Sequence, residues 1–254
     1  MVGVEANPLL AVQCTGRFEK EIRQKRMMVI NAGVLKESGA FTFYRSLLDD
    51  GWSSFKPEWR NRGGQWEEMR IPCITTLQLI SQHGIPFFMK VDIEGADFQA
   101  LHCITPATAP AYVSLELNCA DPMIERLIEL EYSAFKFVDG ETYWPAPPIF
   151  YHEMGWRLLR KAGRIASFVR NTIRRLPLQL RAKSEWNPPS KYSPDYYPFT
   201  PYSSGPFGEQ AAGSWMSSVT AVRLFEVLKD GYRREGKEDS IWWEVHPRHS
   251  SVRQ

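Results

Sequence analysis

Short apolar runs alternate with amphipathic stretches through the first 140 residues of the chain. Met1–Glu5 reads as a strand closed by a carboxylate. Ala6-Asn7-Pro8 reads as the turn opening a helix, since proline in a first helical turn forfeits no hydrogen bond. Met27–Asn31 is a second strand-like run. Phe41–Arg45 alternates after Gly39 and predicts a hairpin strand. Residues 46–70 are polar and tryptophan-bearing, with Gly63-Gly64 among them, and predict a loop insertion. Thr75–His83 suits a helix capped by Thr75 or Thr76 and closed by Gly84. Phe87–Val91 runs as a strand into Asp92-Ile93-Glu94-Gly95, and Ala96–Cys103 follows as a helix. A strand over Ala111–Leu117, a helix over Pro122–Glu131 and a strand over Ala134–Val138 continue the alternation. Strands separated by helices imply parallel pairing through right-handed crossovers. The expected fold is therefore α/β, a doubly wound and mostly parallel sheet.

The second half changes character. Residues 155–181 carry a helical stripe from Trp156 and Leu159 to Ile173 and Leu176, with arginines opposite, until Pro177 ends or kinks it. Residues 186–207 are rich in Pro, Tyr and Ser and predict an irregular arm. Val219–Tyr232 is helical again, and Ile241–Val245 predicts a final edge strand stopped by Pro247. The expected organisation is a core over 1–150, a basic helical and Pro/Tyr-rich insertion over 151–216, and a helix and strand over 217–254 that complete the core.

Charge sharpens this division. The net charge is +2, but residues 155–184 hold nine Lys or Arg and no acid, which leaves −7 for the remainder. Basic character is thus local, and overall charge argues against a nucleic-acid partner. An apolar stripe, a tryptophan and an arginine-rich face over 155–176 fit either contact with an anionic membrane surface or a helix packed on the sheet with a solvated basic face. Cys14, Cys73, Cys103 and Cys119 form no CxxC pair and no metal-ligand spacing with the five histidines, so they read as small apolar residues in a reducing compartment. No run reaches the roughly 18 apolar residues of a membrane span, and no charged-then-apolar leader opens the chain, which makes the expected location cytoplasmic.

In open parallel sheets, ligands lie beyond the carboxyl ends of strands. Glu5 occupies such an end, where a carboxylate accepts bonds from the ribose hydroxyls of a nucleotide-like cofactor or simply favours the following helix N-terminus. Asp92 and Glu94 straddle another strand end, and Gly95 lets a further group approach the backbone. That pair suits orienting or deprotonating a substrate hydroxyl, holding a hard cation, or capping the next helix. Glu116-Leu117-Asn118 ends a third strand, as a site element or as a structural acid and turn.

Val4-Glu-Ala-Asn-Pro8, Ile71-Pro-Cys-Ile-Thr-Thr-Leu77 and Met89-Lys-Val-Asp-Ile-Glu-Gly-Ala-Asp97, in this order and spacing, resemble the FkbM family of methyltransferases. The similarity spans residues 2–140, and Ser204–Glu209, Gly213–Trp215 and Trp243–His246 also look like tail elements of that family. The resemblance implies a Rossmann-like enzyme using S-adenosylmethionine, mostly to methylate oxygen. It implies that Glu5, with Asn7 in the same motif, binds the cofactor ribose side, that Asn31 and Ala32 lie near the adenine, and that Asp92 and Glu94 face the methyl-transfer site. A sugar, a lipid-linked glycan or a small metabolite is the implied acceptor.

The family pattern opens with a strand and a glycine-rich turn, Asp-x-Gly-Ala-Asn-x-Gly in form, and this chain carries no counterpart. In the family's sheet order that strand separates the strand ending at Glu5 from the one ending at Val91, so both are expected to show an unpaired inner edge. Met1 falls inside a predicted strand, and an N-terminally truncated reading of a longer protein is the expectation. Two functions follow: an S-adenosylmethionine-dependent O-methyltransferase, or a methyltransferase-like module that binds no cofactor and acts by interaction alone.

Overall fold

The computed structural model describes residues 1–118, 120–139, 145–146, 208–211, 213–234 and 243–252. The expected basic helix over 155–181, the arm over 186–207 and Cys119 lie outside the described residues. Among the described residues the chain is α/β, with three sheets that between them hold parallel and antiparallel pairing, and it divides into two compact units. One comprises 1–86 and 91–108, the other 87–90 and 109–254.

The first unit opens with β1 (Val2–Glu5), α1 (Pro8–Arg17), α2 (Glu19–Arg23) and β2 (Met28–Asn31). β1 and β2 pair in parallel with Glu5 opposite Asn31. Asn7 caps α1 by accepting from the Leu9 N–H at 3.1 Å, and Pro8 takes the first helical position, as its missing N–H permits. A three-stranded sheet follows, in the order β3 (Gly33–Val34), β5 (Trp66–Ile74), β4 (Gly39–Ser46). β3 runs parallel to β5, and β4 pairs antiparallel with it along its whole length. The loop expected over 46–70 is therefore partly strand: Trp66–Arg70 belong to β5. Glu67, Glu68 and Arg70 face solvent there, and the polarity of that exposed face hid the pairing. α3 (Thr76–His83) carries a reciprocal capping box between Thr75 and Gln78 and ends at Gly84. The helix expected over Ala96–Cys103 is shorter: α4 is Asp97–Ala100.

The second unit is a five-stranded sheet in the order β6 (Phe88–Lys90), β7 (Tyr112–Glu116), β10 (Trp243–His249), β8 (Tyr132–Asp139), β9 (Met216–Ser217). Only β6 and β7 are parallel; β10 is antiparallel to both its neighbours. The edge strand expected over Ile241–Val245 is a central one instead. It tolerates Pro247 because its ladder to β7 skips residues 246 and 247, leaving no bond there for a missing N–H to break. α5 (Met123–Glu129) and α6 (Ser218–Arg234) pack together, and the core of this unit includes Met123, Ile124, Leu127, Phe135, Phe137, Leu224 and Phe225, all essentially inaccessible. Among the described strands β1 pairs with β2 alone and β6 with β7 alone. No helix among the described residues is long and apolar enough to cross a membrane.

Candidate functional site

Glu5 sits where β1 stops. Its main-chain carbonyl accepts from Ala32 N at 3.1 Å and from Asn31 Nδ2 at 2.9 Å, and the same amide reaches the Ala6 carbonyl at 3.2 Å. Parallel pairing thus brings Glu5, Asn31 and Ala32 together at the carboxyl ends of β1 and β2. The Glu5 carboxylate accepts from the Asn7 N–H at 2.7 Å, so it also braces the turn into α1. Asn7 is buried, with its oxygen on Leu9 N and its Nδ2 donating to Asp50 Oδ1 at 3.3 Å. Both its polar groups hold the protein's own loop, which makes it a positioning residue. Burial pushes the Glu5 carboxyl above its ordinary range, the Asn7 N–H opposes this, and the charge of Asp50 adds to it.

The Asp92–Asp97 loop is held from three sides. Asp97 is buried and accepts from Ile93 N at 3.3 Å and Gly95 N at 3.2 Å, folding the segment back on itself. Ser54 Oγ donates to the Glu94 carbonyl at 2.8 Å. The Trp59 indole lies directly over Gly95, whose φ is +83°. The group that the absent Cβ of Gly95 admits is therefore a tryptophan of the same unit. Glu94 also takes a left-handed φ, +49°, a conformation uncommon for a residue with a side chain. Asp92 is exposed and Glu94 partly exposed.

Their electrostatics differ. Burial first, then the charges of Asp92 and Asp97, push the Glu94 carboxyl up to about 8; Arg62 opposes this and Asp49 adds to it. Asp97 rises to about 6, by burial and by Asp92, against its backbone N–H donors. At neutral pH the free protein thus holds Glu94 largely as a neutral acid. Glu94 feels Asp49 while Glu5 feels Asp50, so one short loop lies beside both strand ends. Among the described residues no group of three or more His, Cys, Asp or Glu is arranged to hold a metal ion.

Residues 49–62 were legible only as insertion, yet they supply Asp49, Asp50, Ser54, Trp59 and Arg62. One available signal was Asp49-Asp50-Gly51, since Asp49 caps its own turn by accepting from Gly51 N at 2.9 Å. Glu116 and Asn118, the third candidate strand end, lie in the other unit, where Asn118 builds a turn through Ala120 N and Asp121 N. The described residues of the tail segments also fall in that unit. Glu209 gathers bonds from Tyr112 Oη, Trp215 Nε1 and Arg248, and Lys136 donates to the carbonyls of Gly208, Glu209 and Ala211.

A pH dependence follows from the raised acids. The folded protein keeps protons on Glu94 and Asp97 that the unfolded chain has released, so this contribution to stability is complete below about pH 4.5 and lost by about pH 8. Stability is expected to fall across that window. Glu94→Gln is expected to flatten the fall and to stabilise the protein at pH 8.5 by on the order of 2 kcal/mol, after discounting for partial exposure. Urea titrations of both proteins from pH 5 to 9 read the slope, and parallel curves would remove Glu94 as its source.

No family model, curated protein or solved structure matches this chain.

Proposed function

We propose that this chain is the core of a Rossmann-like, S-adenosylmethionine-dependent methyltransferase that methylates a hydroxyl oxygen on a sugar, lipid-linked or small-metabolite acceptor. The observation that carries the reading is that residues 50–54 touch both acidic segments within one unit: Asp50 accepts from Asn7, beside Glu5, and Ser54 donates to the Glu94 carbonyl. An acid for ribose hydroxyls and a cluster of acids for a cation are the groups that a sulfonium-bearing nucleoside requires, so the donor set fits. Such a cofactor supplies a methyl group activated on a sulfonium cation.

In this reading Glu5 binds the ribose hydroxyls, Asn31 and Ala32 border the adenine, and Asn7 holds the Glu5 turn in place. The loop around Asp92 and Glu94 aligns the acceptor hydroxyl, since methyl transfer asks mainly for positioning. Asp92, at the exposed end, receives the hydroxyl proton. Glu94, neutral in the free protein, becomes a carboxylate when a cation arrives beside it.

That last point supplies the test. S-adenosylmethionine carries one more positive charge than S-adenosylhomocysteine. Ionisation of Glu94 is expected to strengthen binding of the first and leave the second nearly unchanged as pH rises from about 6.5 to about 9. Isothermal titration of the full chain reads both. Glu94→Gln is expected to abolish the difference in slope, and Glu5→Ala to weaken both ligands about tenfold. Absence of binding at millimolar cofactor would overturn the reading in favour of a cofactor-free interaction module. That second reading draws on β1 and β6 each pairing with a single strand among the described strands.

A further inference from the structure

A cavity of about 320 Å³ opens in the first unit, and none of the assignments above uses it. Its floor is apolar. Phe41 and Phe55 pack on a buried cluster of Leu35, Cys73 and Ala96, with Ile93 alongside, and Leu35 lines the cavity itself. Phe55 is firmly seated, because its ring approaches Gly33 so closely that a Cβ there would lie 2.4 Å from Cζ. Tyr44 forms part of the wall, and its ring is held under the Arg60 guanidinium, 4.6 Å from the centroid.

One side of the cavity is polar. Tyr44 exchanges both main-chain bonds with Ser54 rather than with β5. By the two-residue alternation of an antiparallel ladder, Thr42, a cavity residue, also turns its N–H and C=O away from β5 to the open edge of β4. Gln99, on α4, lines the cavity with Lys36 and Glu37, and its Oε1 accepts from Lys36 N at 3.5 Å. Flat aromatic faces with a few convergent donors and acceptors bind a ring through its apolar face and fix its edge substituents by hydrogen bonds. The volume lies at the small end of ligand sites, which run from about 300 to 1,000 Å³, and so fits one ring rather than two.

The cavity and the carboxylate loop share a wall. Ile93 and Ala96 belong to the cluster under Phe41 and Phe55, and Ser54, adjacent to Phe55, bonds to the Glu94 carbonyl. We propose that this cavity binds a single hydroxylated six-membered ring, the part of the acceptor that presents its hydroxyl to the Asp92–Glu94 loop. What the ring is for rests on the methyltransferase reading; that it binds does not.

The test uses the full chain without cofactor. Saturation-transfer-difference NMR with methyl β-D-glucopyranoside and, separately, 4-methylphenol distinguishes a sugar from an aromatic ring. One of the two is expected to receive saturation on its ring protons. Gln99→Trp, which fills the cavity from a half-buried helical position, is expected to abolish the signal with the thermal transition retained. Tyr44→Ala is expected to weaken binding about fivefold, the worth of one stacking contact. No transfer to either probe, or transfer untouched by Gln99→Trp, overturns the proposal. Ring binding by a chain that does not bind S-adenosylmethionine would leave the cavity assigned and remove the methyltransferase; cofactor binding without ring binding would do the reverse.

Discussion

Replacing Glu244 with leucine is expected to lower the unfolding free energy by about 3–5 kcal/mol, the cost of taking one partner from a largely buried ion pair. Lys90 Nζ donates to Glu244 Oε1 at 2.8 Å, and both side chains are less than one-fifth exposed. Ser114 Oγ donates to the other carboxylate oxygen at 3.1 Å, so Glu244 of β10 ties a residue of β6 to one of β7. His246 does not relieve the charge. Burial, then Lys90 and Lys136, drive its pKa down to about 3, which keeps the ring neutral although Nε2 is 3.5 Å from the carboxylate. Removing Glu244 therefore takes the carboxylate from the Lys90 ammonium, and the uncharged imidazole puts no charge in its place. Lys90→Met in the same chain is expected to restore most of the loss, because two apolar groups fill the site without a desolvated charge. Urea unfolding of wild type, both single variants and the double variant gives the coupling. Additive effects within about 0.5 kcal/mol would mean that the pair contributes nothing of its own.

How much of this was legible depended on whether a signal was local. The turn at Asn7-Pro8, the cap at Thr75 and the stop at Gly84 are short-range hydrogen-bond chemistry, and each lies where its residues predict. Glu5 and Asp92–Glu94 were legible for a related reason, since a carboxylate closing an apolar run marks a strand end wherever the strand goes. The pairing of strands was not local. β10 reads as an edge because of Pro247, and only the interrupted ladder to β7 explains how a central strand carries it. Trp66–Arg70 reads as loop because its exposed residues are charged; register against Thr42–Ser46 makes it strand. The candidate site suffered most from this. Asp49, Asp50, Ser54 and Trp59 reach the segments that carry Glu5 and Glu94 only because β4 and β5 form a long hairpin, and no spacing within residues 46–70 announces that. The raised pKa of Glu94 follows from the same folding, as burial and three neighbouring acids outweigh Arg62.

Gly95→Ala is expected to cost about 2–4 kcal/mol, from two sources that can be measured apart. The first is the backbone. Gly95 sits at φ +83°, where an L side chain meets the following carbonyl and loses roughly 1–2 kcal/mol. The second is Trp59, since an added Cβ would lie 2.8 Å from its Cζ2, closer than carbon atoms approach. The indole has little room to yield, because the Arg62 guanidinium lies over it 3.5 Å from the ring centroid. In a Trp59→Ala background the collision is absent and the backbone cost remains, so Gly95→Ala should then cost only about 1–2 kcal/mol. A double-mutant cycle by urea unfolding at about pH 6, where Glu94 is protonated in wild type, keeps its ionisation from entering the comparison. An unchanged cost in the Trp59→Ala background would show that the tryptophan does not rest on this peptide. The Asp92–Asp97 loop would then be held by Asp97 and Ser54 alone, and aromatic cover would drop out of the account of why the Glu94 carboxyl is desolvated.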